Sequence, residues 1–432
     1  MDKFIIRGPS ALKGEIKVSG SKNAALPLMA ASVLADSVIK IKNVPLLNDI
    51  YTFNNVLRVT GVRVDFDEEN SELTIDPANL NYPEAPYDLV RKMRASFYML
   101  GALAGKIGRA RVSLPGGCAW GPRPVDLHLK GMKAIGYDIE LDEGYVVATA
   151  GSEVLKGGSF TLEPSSVGAT VNLLLASVLR AEKFTIKNAA REPDVQLLCK
   201  TLLEMGADIE GTGTDLLTIR RVPSLNVTEI TNAPDRIETG TFMIAAAMHP
   251  ESNVILTGCN PEELGSFPDE FLKTGAEVEM SGDVIKIKAP EKIKPVSVET
   301  EIYPGFPTDL QAQWATMMTQ ALGNSRITDN IYFDRFSYVP ELNRLGADLK
   351  VNKNRVTVNG KTELEGAAVM STDLRASVSL VMAGMCATGV TEVLRVYHLD
   401  RGYEKLEEKL NRAGASIERV RQEEPVAEPE SR

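Results

Sequence analysis

The stretch MGADIE at residues 205–210 has the form of a helix end, a glycine and a short alternating strand. Six segments of this form occur in the 432-residue chain, and their glycines are spaced by 75, 70, 69, 71 and 68 residues. Glycine suits the end of a helix because it enters the left-handed conformation without steric penalty. The chain is therefore predicted to contain six copies of one unit. The six glycines are Gly61, Gly136, Gly206, Gly275, Gly346 and Gly414.

The third copy shows the predicted unit most clearly. A helix is expected over 169–181, a strand over 184–186, a second helix over 193–205, and a hairpin that returns to a strand over 217–219. Each unit is therefore βαβαββ. The first helix of a unit is apolar nearly all round, so it is expected to lie buried beneath the sheets.

Six such units in two sets of three predict an α/β protein of two similar domains with a cleft between them. The expected domains are 22–234 and 1–21 plus 235–420. A solenoid is the alternative, although this repeat is longer than most solenoid repeats. Residues 421–432 are acidic and interrupted by proline, which predicts a disordered tail.

The overall composition excludes several classes of function. A net charge of -10 and a pI near 5.2 argue against non-specific binding to nucleic acid or membrane surfaces. No apolar run approaches bilayer-spanning length and the first residues lack a signal core, so a cytoplasmic protein is expected. The four cysteines form no Cys-x-x-Cys pair, which argues against a zinc site and a disulfide framework.

Polar residues fall at two equivalent places in the repeats. One is the start of the buried helix, and the other is the connection from a strand to the second helix. Helix starts carry partial positive charge and attract anions, whereas arginine there is disfavoured unless an anion or a carboxylate lies nearby. N-capping explains Thr308 and Thr372, and it is the alternative explanation of Asp235. These sites include Lys22, Arg94, Ser166, Asp309, Arg375, Cys118, Arg123, Arg335 and Arg401.

Cys118 lies in a loop, 114–124, that holds three prolines and three glycines. The nearby Arg123 favours a thiolate, so this cysteine is expected to be chemically active. Cys199 and Cys386 lie in apolar helical runs and are predicted to be core residues, while a turn explains Cys259. His128, which follows the loop, is the one histidine expected to line the site, since His249 and His398 read as structural.

Six motifs in order resemble the UDP-N-acetylglucosamine enolpyruvyl transferase family, and the resemblance covers residues 1–420. The family's lysine two residues before Ser166 is Pro164 here, and the residues before Arg335 also differ from the family form. The motifs are Lys22-Asn23, Met93-Arg94-Ala95-Ser96, residues 115–128 around Cys118, residues 306–313 around Asp309, residues 372–377 around Asp373, and residues 398–403 around Arg401.

The resemblance implies a two-domain inside-out α/β barrel, the enolpyruvyl transferase fold. It also implies the first committed step of peptidoglycan synthesis, in which phosphoenolpyruvate gives its carboxyvinyl group to the sugar 3-hydroxyl and phosphate is lost. No cofactor or metal is implied. The expected partners are these two small molecules, without nucleic acid or membrane, and a monomer is expected.

The resemblance also assigns roles to individual residues. Cys118 would act as the acid and Asp309 as the base. Lys22, Arg123 and Arg401 would neutralise the phosphate and carboxylate, Arg94, Arg335 and Arg375 would complete the cationic wall, and Asp373 would lie near the reacting carbon. Asn23 would contact the sugar or the reaction intermediate. The nucleotide sugar would be held by Arg123, Pro124, Val125, Asp126, Leu127, Ser166, Val167, Gly168, Asp309 and Ile331.

Three rival interpretations remain open on the sequence. The sister enzyme that makes 5-enolpyruvylshikimate 3-phosphate shares the fold and the donor but lacks the cysteine loop. A cysteine hydrolase would need a histidine base near Cys118, and only His128 is close in sequence. A non-catalytic repeat scaffold would leave the repeated arginines without a purpose.

Overall fold

The computed structural model describes residues 2–115 and 125–421. It divides into two compact units. The continuous unit is Ser19–Asp235, and the discontinuous unit combines Met1–Val18 with Arg236–Arg432. Among the described residues, no helix is both long enough and apolar enough to span a bilayer.

The described residues form strands, α-helices and short 3-10 helices in alternation. The strands are β1 (Asp2–Gly8), β2 (Lys13–Lys17), β3 (Ile39–Lys42), β4 (Arg63–Asp67), β5 (Glu72–Asp76), β6 (Glu84–Ala85), β7 (Arg109–Ser113), β8 (Tyr137–Asp142), β9 (Tyr145–Ala150), β10 (Leu155–Thr161), β11 (Ala181–Lys187), β12 (Asp208–Glu210), β13 (Leu216–Arg220), β14 (Glu229–Thr231), β15 (Asn253–Thr257), β16 (Glu277–Ser281), β17 (Val284–Lys288), β18 (Val298–Thr300), β19 (Asn324–Asp329), β20 (Asp348–Asn352), β21 (Arg355–Asn359), β22 (Ala368–Met370), β23 (Gly389–Leu394) and β24 (Ile417–Arg421). The α-helices are α1 (Lys22–Ser32), α2 (Asn48–Val59), α3 (Tyr87–Val90), α4 (Tyr98–Ile107), α5 (Asp126–Ile135), α6 (Val167–Ser177), α7 (Pro193–Glu204), α8 (Arg236–Ala247), α9 (Phe267–Lys273), α10 (Gln311–Met318), α11 (Val339–Arg344), α12 (Leu374–Cys386) and α13 (Leu406–Arg412). The 3-10 helices are Pro77–Asn79, Arg94–Phe97, Pro261–Leu264, Thr308–Leu310 and Val396–Arg401.

The described strands form six four-stranded sheets of one topology. In each sheet an edge strand runs parallel to its neighbour, and the remaining two pairings are antiparallel. The continuous unit holds the sheets β14-β3-β5-β4, β6-β7-β9-β8 and β10-β11-β13-β12. The discontinuous unit holds β16-β17-β15-β2, β18-β19-β21-β20 and β22-β23-β1-β24. The six predicted repeats are therefore confirmed, one sheet to each.

Strands from the start of the chain explain why one unit is discontinuous. Strand β2 pairs in parallel with β15, and β1 lies between β23 and β24, so both complete sheets of the later repeats. In the continuous unit, β14 at its end returns to pair with β3 of the first repeat. In both units, strands that are distant in sequence from their neighbours therefore complete a sheet.

The six repeat glycines all have the predicted left-handed backbone, with φ between 93° and 118°. The first helix of the third repeat is shorter than expected, because α6 ends at Ser177 and Ala181 already belongs to β11. Burial follows the predicted pattern: nearly every residue of α6 and α12 is buried, and the sheet strands alternate between buried and exposed positions. The continuous unit and the discontinuous unit therefore each have their own core around three apolar helices.

Cations from neighbouring repeats cap the C-terminal ends of the buried helices in the continuous unit. The Lys106 ammonium donates to the carbonyls of Leu34 and Ala35 just beyond α1. The Arg180 guanidinium donates to the last carbonyls near the end of α4, and Arg221 donates to the carbonyl of Leu179 beyond α6. Cations favour helix C-termini because of the helix dipole. The contacts of Lys106 and Arg180 therefore join the C-terminal ends of the three helices.

Candidate active site

Asp309 lies between two arginines in the discontinuous unit. The 3-10 helix that leads into α10 presents its carboxylate, whose Oδ1 is 2.8 Å from Arg335 Nη2 and whose Oδ2 is 3.2 Å from Arg375 Nη2. Arg375 is buried in the first turn of α12, and Arg335 follows β19. Two equivalent helix starts and one strand-to-helix connection therefore meet at this carboxylate.

The electrostatics of Asp309 depend on these two cations. Burial by itself would raise the pKa of the carboxyl group, but the charges and hydrogen bonds of Arg375 and Arg335 hold the pKa far below its usual range. The group is therefore ionised over the working pH range. It is also a weak base for as long as both guanidinium groups remain in place.

The hydroxyl of Tyr403 joins the three buried helices of this unit near their N-terminal ends. It accepts from Arg375 Nη1 at 3.1 Å and from Gln313 Nε2 at 3.2 Å, and it lies 2.9 Å from Thr241 Oγ1. These partners belong to α12, α10 and α8, and the Tyr403 side chain is buried. Tyr403 is the last residue of the sixth motif, but no sequence pattern assigns it a role.

Asp373 caps α12. Its Oδ1 accepts from the backbone N–H groups of Arg375 and Ala376, and its Oδ2 accepts from Ser337 Oγ at 2.8 Å. The capping prediction for Thr308 and Thr372 is wrong, because neither side chain accepts from its helix start. Thr308 instead donates to Asp329. The catalytic role expected of Asp373 remains a prediction beside this structural one.

The two other site residues predicted in this unit lie on its connections. Arg401 ends the 3-10 helix Val396–Arg401 and is half-buried. Its neighbour Asp400 forms a bidentate ion pair with Arg419, which fixes that turn. Ile331 follows β19 and is half-buried, and its N–H donates to Asp329.

Lys22 begins α1 in the continuous unit, where a positive charge opposes the helix dipole. Its ammonium is 3.0 Å from Asp49 Oδ2, and both side chains are largely buried. The expectation that a carboxylate lies near an arginine at a helix start is met by Asp309 beside Arg375, and Lys22 has a similar partner in Asp49, which sequence reasoning missed. Asn23, the next residue, is exposed on the first turn.

His128 lies between the starts of α4 and α6. Its Nδ1 accepts from Asn172 Nδ2 at 2.8 Å, which leaves the proton on Nε2, and its ring packs edge-on against Phe97. Burial, assisted by the charge of Arg94, lowers the pKa of His128 to about 3, although Asp126 opposes the shift. Arg94 is exposed, and it forms no hydrogen bond or ion pair with any other residue that the structure describes.

Ser166, Val167 and Gly168 form the start of α6. Ser166 is the N-cap and accepts from Ala169 N at 3.3 Å. A side chain at Gly168 would lie 3.2 Å from the His128 ring, so glycine allows this close approach. Three predicted binding residues are thus in one turn beside a neutral histidine.

The other predicted binding residues precede or begin α5. Val125 is the N-cap residue of α5 and is half-buried. Asp126 is exposed and pairs with Lys130, while Leu127 packs partly against the core. Cys118, Arg123 and Pro124 lie outside the described residues.

The remaining thiols are buried or half-buried. Burial raises the pKa of Cys199 and of Cys386 to about 12 and that of Cys259 to about 11. None of these three is therefore a reactive thiolate near neutral pH. In the parts of the chain that the structure describes, no three His, Cys, Asp or Glu side chains come together as a metal site.

Comparison with known proteins first gives the class. The structure matches the crystal structure of the enolpyruvyl transferase NikO from Streptomyces tendae with a TM-score of 0.89, at 26% identity over 97% of this chain and 99% of that one. It matches the EPSP synthase of Acinetobacter baumannii with a TM-score of 0.76, at 19% identity over 98% and 100% of the two chains. The family model for EPSP synthase (3-phosphoshikimate 1-carboxyvinyltransferase) matches residues 6–410. The fold is therefore that of the enolpyruvyl transferases, as predicted.

Sequence relatives then give the particular family. The chain is 50% identical over 420 residues to UDP-N-acetylglucosamine 1-carboxyvinyltransferase of Chloroherpeton thalassium, covering 97% of both chains. It is 49% identical to the protein of that name from Desulfosudis oleivorans, over 97% of this chain and all of the relative. The chain belongs to the UDP-N-acetylglucosamine 1-carboxyvinyltransferase family. The resemblance carried by the six motifs is confirmed.

The low pKa of His128 predicts how acid acts on stability. A histidine binds a proton with a pKa near 6.5 in the unfolded chain but near 3 in the folded one, so the unfolded state gains protons first as the pH falls. The part of the free energy of unfolding that depends on neutral His128 is fully present above about pH 6.5. It is lost as the pH falls below that value, by at most about 1.4 kcal/mol per pH unit.

The measurement is the urea midpoint of unfolding between pH 7 and pH 4, compared with that of His128→Gln. The variant should lose less stability with acid, whereas the control His249→Gln should follow the wild type. Parallel curves for the wild type and His128→Gln would show that His128 is not buried in its neutral form.

Proposed function

We propose that the protein transfers the carboxyvinyl group of phosphoenolpyruvate to the 3-hydroxyl of UDP-N-acetylglucosamine and releases phosphate. The observation that carries this proposal is 50% identity, over nearly the whole of both chains, to a relative named for that activity. Both substrates are polyanions. The helix starts with Lys22, Arg94 and Arg375 offer the complementary charge.

The proposed reaction is an addition followed by an elimination. The sugar oxygen forms a bond to C2 of phosphoenolpyruvate while C3 gains a proton, which consumes the double bond. The C2–O bond to phosphate then breaks, phosphate leaves with the electron pair, and C3 returns a proton. Proton delivery to C3 is assigned to Cys118, and removal of the hydroxyl proton is assigned to Asp309.

Charge neutralisation is assigned to the cations at the helix starts and connections. Lys22, Arg123 and Arg401 would hold the phosphate and the carboxylate, with Asp373 near the reacting carbon. The nucleotide sugar would take the remaining cations and several first-turn groups. These are Asn23, Arg94, Arg123, Pro124, Val125, Asp126, Leu127, Ser166, Val167, Gly168, Asp309, Ile331, Arg335 and Arg375.

Asp309 can act as a base only if its pKa rises during the catalytic cycle. Arg335 and Arg375 hold that pKa low, and both are also assigned to substrate anions. A substrate anion that draws either guanidinium toward itself would weaken the ion pair and make the carboxylate more basic. Anion binding and base activation are coupled in this proposal.

Removing one of the two guanidinium groups should show this coupling. Arg335→Gln should raise the pKa of Asp309 by about 1 to 3 units, since a neighbouring arginine lowers a carboxyl pKa by that amount. The titration of the Asp309 carboxyl group, followed by carbon-13 NMR, should therefore move to higher pH in Arg335→Gln. The control Arg344→Gln removes an exposed arginine of the same unit and should leave that titration in place. An unmoved titration in Arg335→Gln would show that Arg335 does not control the basicity of Asp309.

Three alternative functions are distinguished from this proposal, each by a different observation. The family model that matches is named for 3-phosphoshikimate 1-carboxyvinyltransferase, which favours that compound as the second candidate acceptor. A cysteine hydrolase would need His128 as its base, but a buried histidine with a pKa of about 3 is a poor proton acceptor at neutral pH. A scaffold would show no turnover.

The test measures phosphate release from phosphoenolpyruvate with each acceptor in turn. We expect release with UDP-N-acetylglucosamine and only background with shikimate 3-phosphate. Release with shikimate 3-phosphate alone would make the sister reaction the true one. No release with either acceptor would contradict both enolpyruvyl transfer proposals.

Cys118 is testable by substitution. Proton delivery to carbon needs an acid but not sulfur, so Cys118→Asp should retain turnover with an altered pH profile, whereas Cys118→Ala should lose most of it. An anionic epoxide such as fosfomycin should alkylate the native thiol and spare the aspartate variant. Peptide mass spectrometry locates the adduct; an adduct on Cys259 would mean that the reactive thiol has been misassigned.

The cellular setting follows from the same proposal. The reaction would be the first committed step of peptidoglycan synthesis and would take place in the cytoplasm, carried out by a monomer. It would therefore contribute to cell shape and cell division.

Domain closure is a further expectation of this proposal. The domains 22–234 and 1–21 plus 235–420 would close on the substrates from both sides of a cleft, because the assigned residues are divided between them. Small-angle scattering should show compaction when UDP-N-acetylglucosamine binds, and an unchanged radius of gyration would contradict closure.

A further inference from the structure

Asp329 is a fully buried carboxylate at the end of β19 with no part in the proposed chemistry. Its Oδ1 accepts from Thr300 Oγ1 at 2.7 Å and from the N–H groups of Ile331 and Tyr332 at 2.9 Å each. Its Oδ2 accepts from Thr308 Oγ1 at 2.7 Å. A carboxylate is the side chain that accepts on both of its oxygens without donating.

These contacts set the shape of the turn that carries Ile331. Two successive N–H groups point at Oδ1, and the preceding N–H, of Asn330, donates to Thr300 Oγ1 at 3.0 Å. Every amide of the turn from 330 to 332 is therefore fixed by Asp329 or by its partner Thr300. The position of Ile331, which is assigned to the nucleotide sugar, follows from that geometry.

The other oxygen of Asp329 acts on Arg335 through Thr308. The Thr308 hydroxyl gives its proton to Asp329, so its lone pairs face Arg335 Nη1, which donates to it at 3.2 Å. The Nη2 of the same guanidinium meets Asp309. Asp329 thus fixes the direction of the Thr308 hydroxyl, and the hydroxyl fixes one edge of the guanidinium that holds the proposed base.

We propose that Asp329 is a positioning residue for the acceptor sugar nucleotide. Its Oδ1 fixes the turn that carries Ile331, and its Oδ2 orients Thr308, which in turn orients Arg335. This inference rests on the proposed function, because the acceptor is identified there. The donor phosphoenolpyruvate is assigned to other cations. The effect of losing Asp329 should therefore fall on the acceptor.

Thr308→Val is the main test, because it removes only the hydroxyl and leaves Asp329 three of its four donors. The KM for UDP-N-acetylglucosamine should rise roughly tenfold, as expected when a hydrogen bond to a charged group is lost, while the KM for phosphoenolpyruvate changes little. Thr308→Ser keeps the hydroxyl and should restore the wild-type value. Asp329→Asn should show the same split, and combining it with Thr308→Val should add less than the sum of the two effects on the logarithm of kcat/KM.

Thr328→Val is the matched control. Thr328 is a buried threonine beside Asp329, and its hydroxyl accepts from Arg355 Nε at 3.2 Å, the same distance as in the Thr308–Arg335 pair. This variant should leave both KM values unchanged. Equal changes in the two KM values of Thr308→Val, or a shift in thermal stability without a kinetic effect, would reduce Asp329 to a structural residue and overturn the inference. If wild-type protein releases no phosphate with UDP-N-acetylglucosamine, the proposed function fails and this inference fails with it.

Discussion

The buried hydroxyl of Tyr403 is the point on which the arrangement of the discontinuous unit depends. Three apolar helices pack together there, and apolar contacts alone do not fix how far one helix slides along another. One hydroxyl that contacts Thr241, Gln313 and Arg375 fixes the positions of the three helices along their axes. Arg375 then carries that setting to Asp309. The position of the Asp309 carboxylate therefore depends in part on the contact between Thr241 and Tyr403, which are 162 residues apart in the sequence.

The charges of Lys22 and Asp309 are tolerated at the starts of buried helices because each has a partner of opposite sign. Lys22 has Asp49, and Asp309 has two guanidinium groups. A buried ion that loses its partner costs several kcal/mol, so the partners are part of the fold as well as of the site. A substrate anion can compete for such a cation, because a charge-assisted contact replaces one already present.

The repeat could be predicted in detail because its determinants are local. A few neighbouring residues are enough to predict a glycine with positive φ or a helix that is apolar all round. The structure confirms all six glycines and the buried helices. The partners at the site were not legible, because Asp49, Asp329 and Tyr403 meet their partners only after folding. The sequence predicts Thr372 as the cap of α12, whereas Asp373 caps it in the structure, because sequence alone does not decide which of two adjacent side-chain oxygens turns toward the amides.

The cations that cap the buried helices of the continuous unit leave its two ends electrically unlike. Lys106, Arg180 and Arg221 saturate the carbonyl ends, where they reduce the mutual repulsion of helix dipoles that point the same way. The helix starts of this unit carry the cations Lys22 and Arg94, which add to the positive charge of the dipoles. In the function proposed above, a substrate anion bound there would offset this charge and stabilise the packing of the helices. Occupancy of the proposed site and stability of the unit would then be thermodynamically linked.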